Sequence, residues 1–379
     1  MSVLSAVPAD GCAHPPIEED RSTVNTIACA VEEVVLGVDT HLKTHTAVVI
    51  DLVGRQVDAH SFPTTKLGTH ELIKWARRRG TVRRAGVEGT GSYGIALTRR
   101  LQLEGIEVFE VTRPKRKRAR HRGKNDLQDA HAAATSVLAD GQQLATPKSR
   151  DGIVEAIRVL RISRASAVKS RTQTILQLRN LVLTGPEDLR EALRELTINQ
   201  LVARCARWHR REPDDALQAT RQALRSLARR HQALDTEIAE LDVDILRLTR
   251  RAAPRLLAQP GIGPETAARL LIVAGDNPDR LRSDAALAAL CGASPVEASS
   301  GQTIRYRLNR GGDRQGNNAL WTIANNRMIH HPETRDYVKR RTAKGKTSKE
   351  IRRCIMRTLA RRLYPLLLAD LNDAQAIPT

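Results

Sequence analysis

The order of short strands and helices near the start of the chain constrains its fold most strongly. Residues 34–63 contain three β-rich runs whose connections are too short for helices, so they predict an antiparallel meander. Hairpins therefore come first, and connections long enough for helices come later. The later elements alternate: a helix from Thr65 to about Arg79, a strand at 84–88, a helix at 92–104, a strand at 106–111 and a helix from about Asn125. In the first helix we expect Leu67, Leu72, Ile73 and Trp75 on the buried side.

This order distinguishes between two α/β folds. A doubly wound nucleotide-binding fold begins with crossover units, whereas the ribonuclease-H core begins with hairpins. We therefore predict an N-terminal ribonuclease-H-like (RuvC-like) domain at residues 33–145. Residues 89–94 match the GxGxxG dinucleotide fingerprint, but the motif follows a meander, and Glu88 would place a negative charge beside the pyrophosphate. Both features argue against a dinucleotide site.

The rest of the chain predicts helices, so the expected fold class is α/β plus α. In residues 151–253, apolar positions recur three and four apart from Leu224 to Leu248. This heptad spacing predicts a central helical coiled coil that acts as a spacer and oligomerisation arm, with His231 setting the register. A second helix at about 153–183 could pack against it.

Pro254 ends this region and opens a mostly helical C-terminal domain at residues 254–370. Gly261 and Gly263 lie in a turn between two apolar helical runs, which is typical of a helix-hairpin-helix whose amides can face a phosphate. A tight turn without a ligand is the alternative.

Three further features concern the compartment in which the protein acts. Residues 1–32 lack the basic start and apolar core of a signal peptide, so we expect a disordered extension. No apolar run of about 18 residues occurs, which predicts no membrane span. The five cysteines are scattered, which favours a reducing cytoplasm over a disulfide framework or a zinc module.

The charge of the chain indicates a polyanion partner. Lys and Arg number 62 against 42 Asp and Glu, a net charge of +20, and this favours nucleic acid. Two Phe, four Tyr and three Trp argue against a base-stacking platform. A solvated flexible loop is the alternative for the basic run at 113–124. The predicted contacts lie in the basic run at 113–124, the glycine turn and the basic segment at 335–362: Arg113, Lys115, Arg116, Lys117, Arg118, Arg120, Arg122, Lys124, Gly261, Gly263, Lys339, Arg340, Arg341, Lys344 and Lys346.

Four carboxylates in this basic chain predict a metal site. Asp39 ends the first strand and Glu88 the fourth, and these strands are neighbours in a ribonuclease-H topology. Asp126 and Asp129 are three residues apart, hence on one helix face. Clustered like charges need cations, and two Mg²⁺ ions about 4 Å apart, or Mn²⁺ in their place, suit phosphoryl transfer. Taken singly, Asp126 could be a helix cap and Glu88 a turn residue.

Two histidines lie close to the first acid. His41 and His45, close to Asp39, could in principle bind zinc. No third partner with matching spacing is present, so we interpret both as polar residues near the site.

Several motifs resemble those of the DEDD transposases of insertion-sequence family 110, relatives of the Piv DNA invertase. The resemblance covers residues from about 34 to 368, and the middle helices carry little of it. The N-terminal motifs are Val38-Asp39-Thr40-His41, the run from Val87 to Tyr93, and the run from Lys124 to Ala130. The C-terminal motifs are the run from Gln259 to Pro264, the run from Leu290 to Pro295, and Ser299-Ser300-Gly301. The family often has Leu-Thr-Pro where this chain has Ala293-Ser294-Pro295.

The resemblance implies roles for five residues. The metal-binding acids of the family fall on Asp39, Glu88, Asp126 and Asp129, and its nucleophilic serine falls on Ser300. The choice of Ser300 over Ser299 rests on the spacing before Gly301. Without the resemblance to the family, we would interpret this segment as an ordinary polar loop.

The resemblance also implies an activity and partners. It implies an Mg²⁺-dependent transposase that forms a phosphoserine link to DNA and acts on double-stranded donor and target DNA. A structured bridge RNA would guide it, and a homodimer or homotetramer would assemble the site in the bacterial cytoplasm, at the nucleoid. Two other interpretations stay open: a RuvC-like, metal-dependent junction nuclease that needs no serine, and a non-catalytic basic coiled-coil DNA-binding protein.

Overall fold

The N-terminal part of the protein is a five-stranded mixed sheet. The computed structural model describes residues 33–111, 125–140, 144–302, 306–307 and 309–376. The predicted extension at 1–32 and the basic run at 113–124 lie outside the described residues. The strands are β1 (Glu33–Thr40), β2 (Thr44–Ile50), β3 (Gln56–Pro63), β4 (Thr81–Glu88) and β5 (Glu107–Val111).

The strand order in this sheet is β3-β2-β1-β4-β5. The first three strands pair antiparallel, while β4 is parallel to β1 and β5 is parallel to β4. The hairpins-first prediction is therefore confirmed, and the sheet is compatible with a ribonuclease-H-like fold. Its helices are α1 (Lys66–Arg77), α2 (Ile95–Leu103) and α3 (Asp126–Asp140).

Alternate residues of β1 face different helices. Leu36 and Val38 pack in one apolar cluster with residues of α1 and α2, whereas Val35 packs with residues of α3. Successive side chains of a strand point to opposite faces, so Gly37 and Asp39 share the α3 side with Val35. This alternation places Asp39 on the face of the sheet that packs against α3.

Thr65 caps α1 as predicted, since its side chain accepts a hydrogen bond from the Gly68 amide at 3.0 Å. The prediction that Leu67 is buried is wrong, because its side chain is 66% exposed. The first turn of α1 instead approaches β3 through Gly68, where a Cβ would lie only 2.1 Å from the Pro63 carbonyl oxygen. Gly68, rather than Leu67, is therefore the residue of this turn that makes the close contact with β3.

Two long helices form the middle of the chain. They are α4 (Ile153–Thr184) and α7 (Ala216–Ala252), with α5 (Glu187–Leu193) and α6 (Ile198–Ala206) between them. Arg164 of α4 pairs with Asp242 of α7, and Arg171 pairs with Asp235, so the two helices run antiparallel.

The heptad seam of α7 is covered within the same chain. Leu224 of the seam packs with Leu178 and Val182 of α4, and His231, Ile238 and Ile245 are buried as well. Because α4 supplies a partner for this face, the periodicity does not by itself require a second chain. An oligomer stays a prediction.

The C-terminal part is mostly helical. One core combines residues of these C-terminal helices with Ile157 of α4 and Ala252 of α7, so the two long helices are anchored in it. Within the part of the chain that the structure describes, no helix is both long and apolar enough to cross a membrane. The elements are α8 (Pro254–Leu257), α9 (Pro264–Ala274), α10 (Asp284–Leu290), β6 (Val296–Glu297), β7 (Tyr306–Arg307), α11 (Arg314–His330), α12 (Pro332–Ala343) and α13 (Ser348–Gln375).

Residues 144–150 tie the sheet to this C-terminal part. The Glu110 amide of β5 donates to the Ala145 carbonyl at 2.8 Å. On the other side, the side chain of Asn277 donates to the Pro147 carbonyl at 2.9 Å, and Arg280 donates to the Thr146 carbonyl at 3.0 Å. The segment thus bridges the edge of the sheet and the loop after α9.

Candidate metal site and nucleic-acid surface

Strand register brings two of the predicted acids to one end of the sheet. Val38 of β1 lies opposite Val87 of β4, so Asp39 and Glu88 end neighbouring parallel strands. The Thr40 hydroxyl donates to the Glu88 backbone carbonyl at 2.7 Å, which joins the two strand ends. Asp39 is fully buried and Glu88 is half-buried.

Two glycines let α3 approach this sheet closely. Gly37 of β1 lies opposite Gly86 of β4. A Cβ at Gly37 would lie 2.1 Å from the Ala130 carbonyl oxygen, and one at Gly86 would lie 2.5 Å from that of Ala133. Any larger residue at either position would push the helix away. Each glycine is two residues before an acid, so the same strand face carries the helix contact and the carboxylate.

The first turn of α3 contributes the other two acids. Asp126 and Asp129 both lie in this turn. The side chain of Asn125 accepts a hydrogen bond from the Leu127 amide at 3.0 Å, as a helix-capping residue does. The capping role that Asp126 could have filled is thus filled by Asn125. Both acids are half-buried, and the Asp126 carboxylate faces the strand ends through His41.

His41 lies between two of the carboxylates. Its Nε2 atom is 3.1 Å from Asp39 Oδ2 and 3.4 Å from Asp126 Oδ1. One ligand atom from each of these three residues lies within 4.8 Å of the others. The sequence interpretation set His41 aside because no third partner was visible. The partner is Asp126, 85 positions away, and only the packing of α3 brings it near.

The electrostatics of the cluster favour a bound cation. Burial raises the pKa of the Asp39 carboxyl, and the carboxylates of Asp126 and Asp129 raise it further, while His41 opposes the shift. Burial and the nearby His41 also lower the pKa of His45. A positive ion would relieve the repulsion among the acids. Carboxylate and imidazole donors at this spacing are compatible with a divalent metal ion.

An open cleft of about 630 Å³ reaches Asp126 of this cluster. It lies beside β2 and β3, and the start of α3 forms one wall. Its lining includes polar side chains on both sides: Thr46, His60, Ser61, Asn125 and Asp126. A substrate could therefore reach Asp126 from solvent.

The predicted nucleophile lies in the C-terminal part of the protein. Ser299 and Ser300 are both exposed and follow β6, in the segment that leads to β7. The acids, by contrast, all belong to the N-terminal sheet and its helix α3. A site that uses both the acids and Ser300 must therefore combine residues from two parts of the chain that are distant in sequence.

The glycine turn lies between α8 and α9 and packs on α11. Gly261 has a φ of +77°, a conformation that favours glycine, and a Cβ there would lie 3.0 Å from Asn326 Oδ1. The Gly263 amide already donates to the Thr266 hydroxyl at 3.1 Å. Because α8 has only four residues, the turn follows a single helical turn rather than a long helix.

The remaining predicted contacts cluster around α12. No residue of this helix is buried. Lys339 and Arg340 are exposed on it, and Lys344 and Lys346 lie exposed in the turn that leads to α13. Arg341 is half-buried, with its guanidinium 5.8 Å from the ring centroid of Tyr337. These side chains form one basic surface at the junction of two helices.

Comparison with known proteins agrees with this architecture. Residues 36–185 match the model of the IS110-type DEDD transposases, described as transposase. Residues 253–339 match the model described as transposase of the IS116/IS110/IS902 family. Together the two matches cover more than half of the chain, and they include the four acids of the sheet and α3 as well as the glycine turn.

A curated protein of Streptomyces coelicolor, described as an insertion element IS110 uncharacterized 43.6 kDa protein, is 35% identical over 135 residues. The match covers 35% of this chain and 32% of that protein, so it spans about a third of the length of the relative. With both family models, it leads to one conclusion: the chain belongs to the IS110 family of DEDD transposases.

Proposed function

We propose that the protein is a metal-dependent DNA transposase that excises and inserts an insertion sequence. The observation that carries this proposal is the convergence of Asp39, His41 and Asp126 at the strand ends, in a family member with a net charge of +20. Clustered carboxylates can bind divalent cations, and these cations can in turn bind the phosphates of a nucleic acid.

Asp39, Glu88, Asp126 and Asp129 would hold the metal, as two Mg²⁺ ions or with Mn²⁺ in their place. Bound there, the ions would offset negative charge on the phosphate oxygens during strand cleavage. The protein's own contribution is positional: buried Asp39 is held by β1, and Asp126 and Asp129 by the first turn of α3. His41 is a further donor at the same point.

Ser300 would supply the nucleophile, by resemblance to the family. Its Oγ forms a bond to phosphorus while the bond from phosphorus to the leaving sugar oxygen breaks. The serine proton passes to solvent, and the leaving oxygen takes up a proton. A free DNA hydroxyl later attacks the phosphoserine, and the serine hydroxyl is restored. Each of the two steps forms one bond to phosphorus and breaks one.

The proposed partners are donor and target double-stranded DNA, together with a structured guide RNA. The exposed basic residues around α12 and the basic run at 113–124 supply charge for such polyanions. By resemblance to the family, we also propose that the acids and Ser300 form a composite site in a homodimer or homotetramer. We also propose the three-part division into a catalytic domain at 33–145, a spacer at 151–253 and a C-terminal domain at 254–370.

The function is tested by covalent capture of DNA. The protein is incubated with Mg²⁺, element-end DNA and RNA from the flanking segment, then denatured, and protein-linked DNA is measured. We expect an adduct in Mg²⁺ and none in EDTA. Absence of both cleavage and adduct with every DNA and RNA tried, from a folded metal-binding protein, would contradict the proposal.

Asp39→Asn is expected to weaken Mn²⁺ binding by at least about tenfold, because it removes a buried carboxylate from the donor set. Electron paramagnetic resonance of free Mn²⁺ measures the effect. Asp140→Asn is the matched control, since it changes an exposed acid at the far end of the same helix α3. Equal affinity in wild type and Asp39→Asn would show that the metal does not bind at this cluster.

A further inference from the structure

A large basic cleft lies beside the segment that carries Ser300. Its volume is about 930 Å³. One wall is made by the turn from Gly292 to Pro295 and by Tyr306 and Arg307 of β7, which flank the stretch containing Ser300. The opposite walls are Trp321 of α11 and the first turns of α13. The cleft therefore adjoins the proposed nucleophile without containing it.

The cleft concentrates positive charge, because its described lining has seven cations and one acid. Among the described residues, Arg357 is the only cation of its lining with a carboxylate in ion-pair range, Asp284 at 3.5 Å. The one acid of the lining, Glu350, accepts a hydrogen bond from the Thr347 amide at 2.9 Å and so helps to cap α13. The other six cations are Arg307, Arg341, Lys346, Lys349, Arg352 and Arg353.

Two aromatic rings also line this basic cleft. Trp321 is 44% exposed and Tyr306 is 62% exposed, so both rings present surface to a ligand in the cleft. The Arg352 guanidinium lies 5.5 Å from the Trp321 ring centroid, and its Nε donates to Asn325 Oδ1 at 2.6 Å, which holds it in place. Exposed rings beside clustered cations are typical of surfaces that bind unpaired nucleic acid.

We propose that this cleft binds an unpaired DNA strand next to Ser300, with its phosphates on the cations and a base stacked on Trp321. This inference rests on the proposed function, because it takes DNA as the substrate of Ser300. A duplex presents phosphates but keeps its base faces covered, whereas an unpaired strand can stack a base on a ring. The cleft would hold the strand whose phosphodiester Ser300 attacks.

The test uses a matched pair of tryptophans. Trp208 in the middle of the chain also has an arginine, Arg221, at 5.5 Å from its ring centroid, but it lies outside the cleft. Binding of a fluorescent dT20 strand is measured by anisotropy. Trp321→Ala is expected to weaken binding about fivefold to hundredfold, and Trp208→Ala to leave it unchanged. Trp321→Phe keeps a ring and should restore most of the affinity, which separates stacking from misfolding.

Two further probes make the outcome decisive. Trp321→Ala should weaken binding of a 20-base-pair duplex far less than binding of dT20. An equal loss on both probes, or no loss on dT20, would overturn the proposal. A U20 strand preferred over dT20 with the same Trp321 dependence would overturn the assignment to DNA. Ser300-dependent capture of DNA is measured separately, so failure of the cleft proposal leaves the proposed function standing, and failure of the proposed function is seen in its own assay as loss of DNA capture.

Discussion

Ser300→Ala should abolish covalent capture of DNA, with a loss of at least about 1,000-fold in adduct formation. The reason is chemical: alanine has no hydroxyl, so no bond from the side chain to phosphorus can form. Ser300 is exposed, so the change should leave the fold intact. Adduct is measured as DNA that stays with denatured protein, and Mn²⁺ affinity reports that the acidic cluster is undisturbed.

Ser299→Ala is the matched control, because it changes the adjacent exposed serine. It should keep the adduct if the spacing before Gly301 identifies the nucleophile. Loss of the adduct in Ser299→Ala alone would move the role to Ser299. DNA cleavage without adduct that survives both changes would instead indicate a metal-dependent nuclease. Binding of DNA with neither cleavage nor adduct, unaffected by Asp39→Asn, would indicate a non-catalytic DNA-binding protein.

Gly37→Ala should destabilise the protein by about 3 kcal/mol or more, at the upper end of what overpacking costs. The added Cβ would lie 2.1 Å from the Ala130 carbonyl oxygen and 2.5 Å from the Ala134 amide nitrogen, and backbone atoms cannot rotate aside. The helix α3 must therefore shift as a unit. Denaturant unfolding measures the loss of stability.

The same substitution should also weaken Mn²⁺ binding, since a shift of α3 moves Asp126 and Asp129 away from Asp39. Gly86→Ala should act in the same direction, because its Cβ would lie 2.5 Å from the Ala133 carbonyl oxygen. Gly263→Ala is the control: its Cβ meets nothing within 4 Å and its φ is −99°. A Gly37→Ala protein within about 1 kcal/mol of wild type would show that α3 does not depend on this close approach.

Much of the N-terminal fold could be predicted from the sequence, because local signals specify it. Connections too short for helices require antiparallel pairing of β1, β2 and β3, and the later helices require parallel pairing of β4 and β5. Given that topology, Asp39 and Glu88 had to end neighbouring strands. Thr65 could be recognised as a helix cap because capping depends on residues only three apart.

The C-terminal cleft could not be foreseen, because its walls are distant in sequence. Tyr306, Trp321 and Arg352 come from three separate elements, and no spacing links them. The low aromatic content argued against a stacking surface, but composition says nothing about where two exposed rings lie. Likewise, the heptad seam of α7 predicted a partner helix, and only packing could identify α4 as that partner.

The amino-acid sequence by itself determined the strand order, the strand-end positions of Asp39 and Glu88, and the excess of positive charge. These properties depend on residue type, local spacing and chain connectivity. The tertiary structure alone decided that His41 lies between Asp39 and Asp126, that Leu67 points outward, and that seven cations line one cleft with Trp321. Each of these depends on how closely two elements approach one another. That distance is set by contacts such as those at Gly37 and Gly68, which no local pattern encodes.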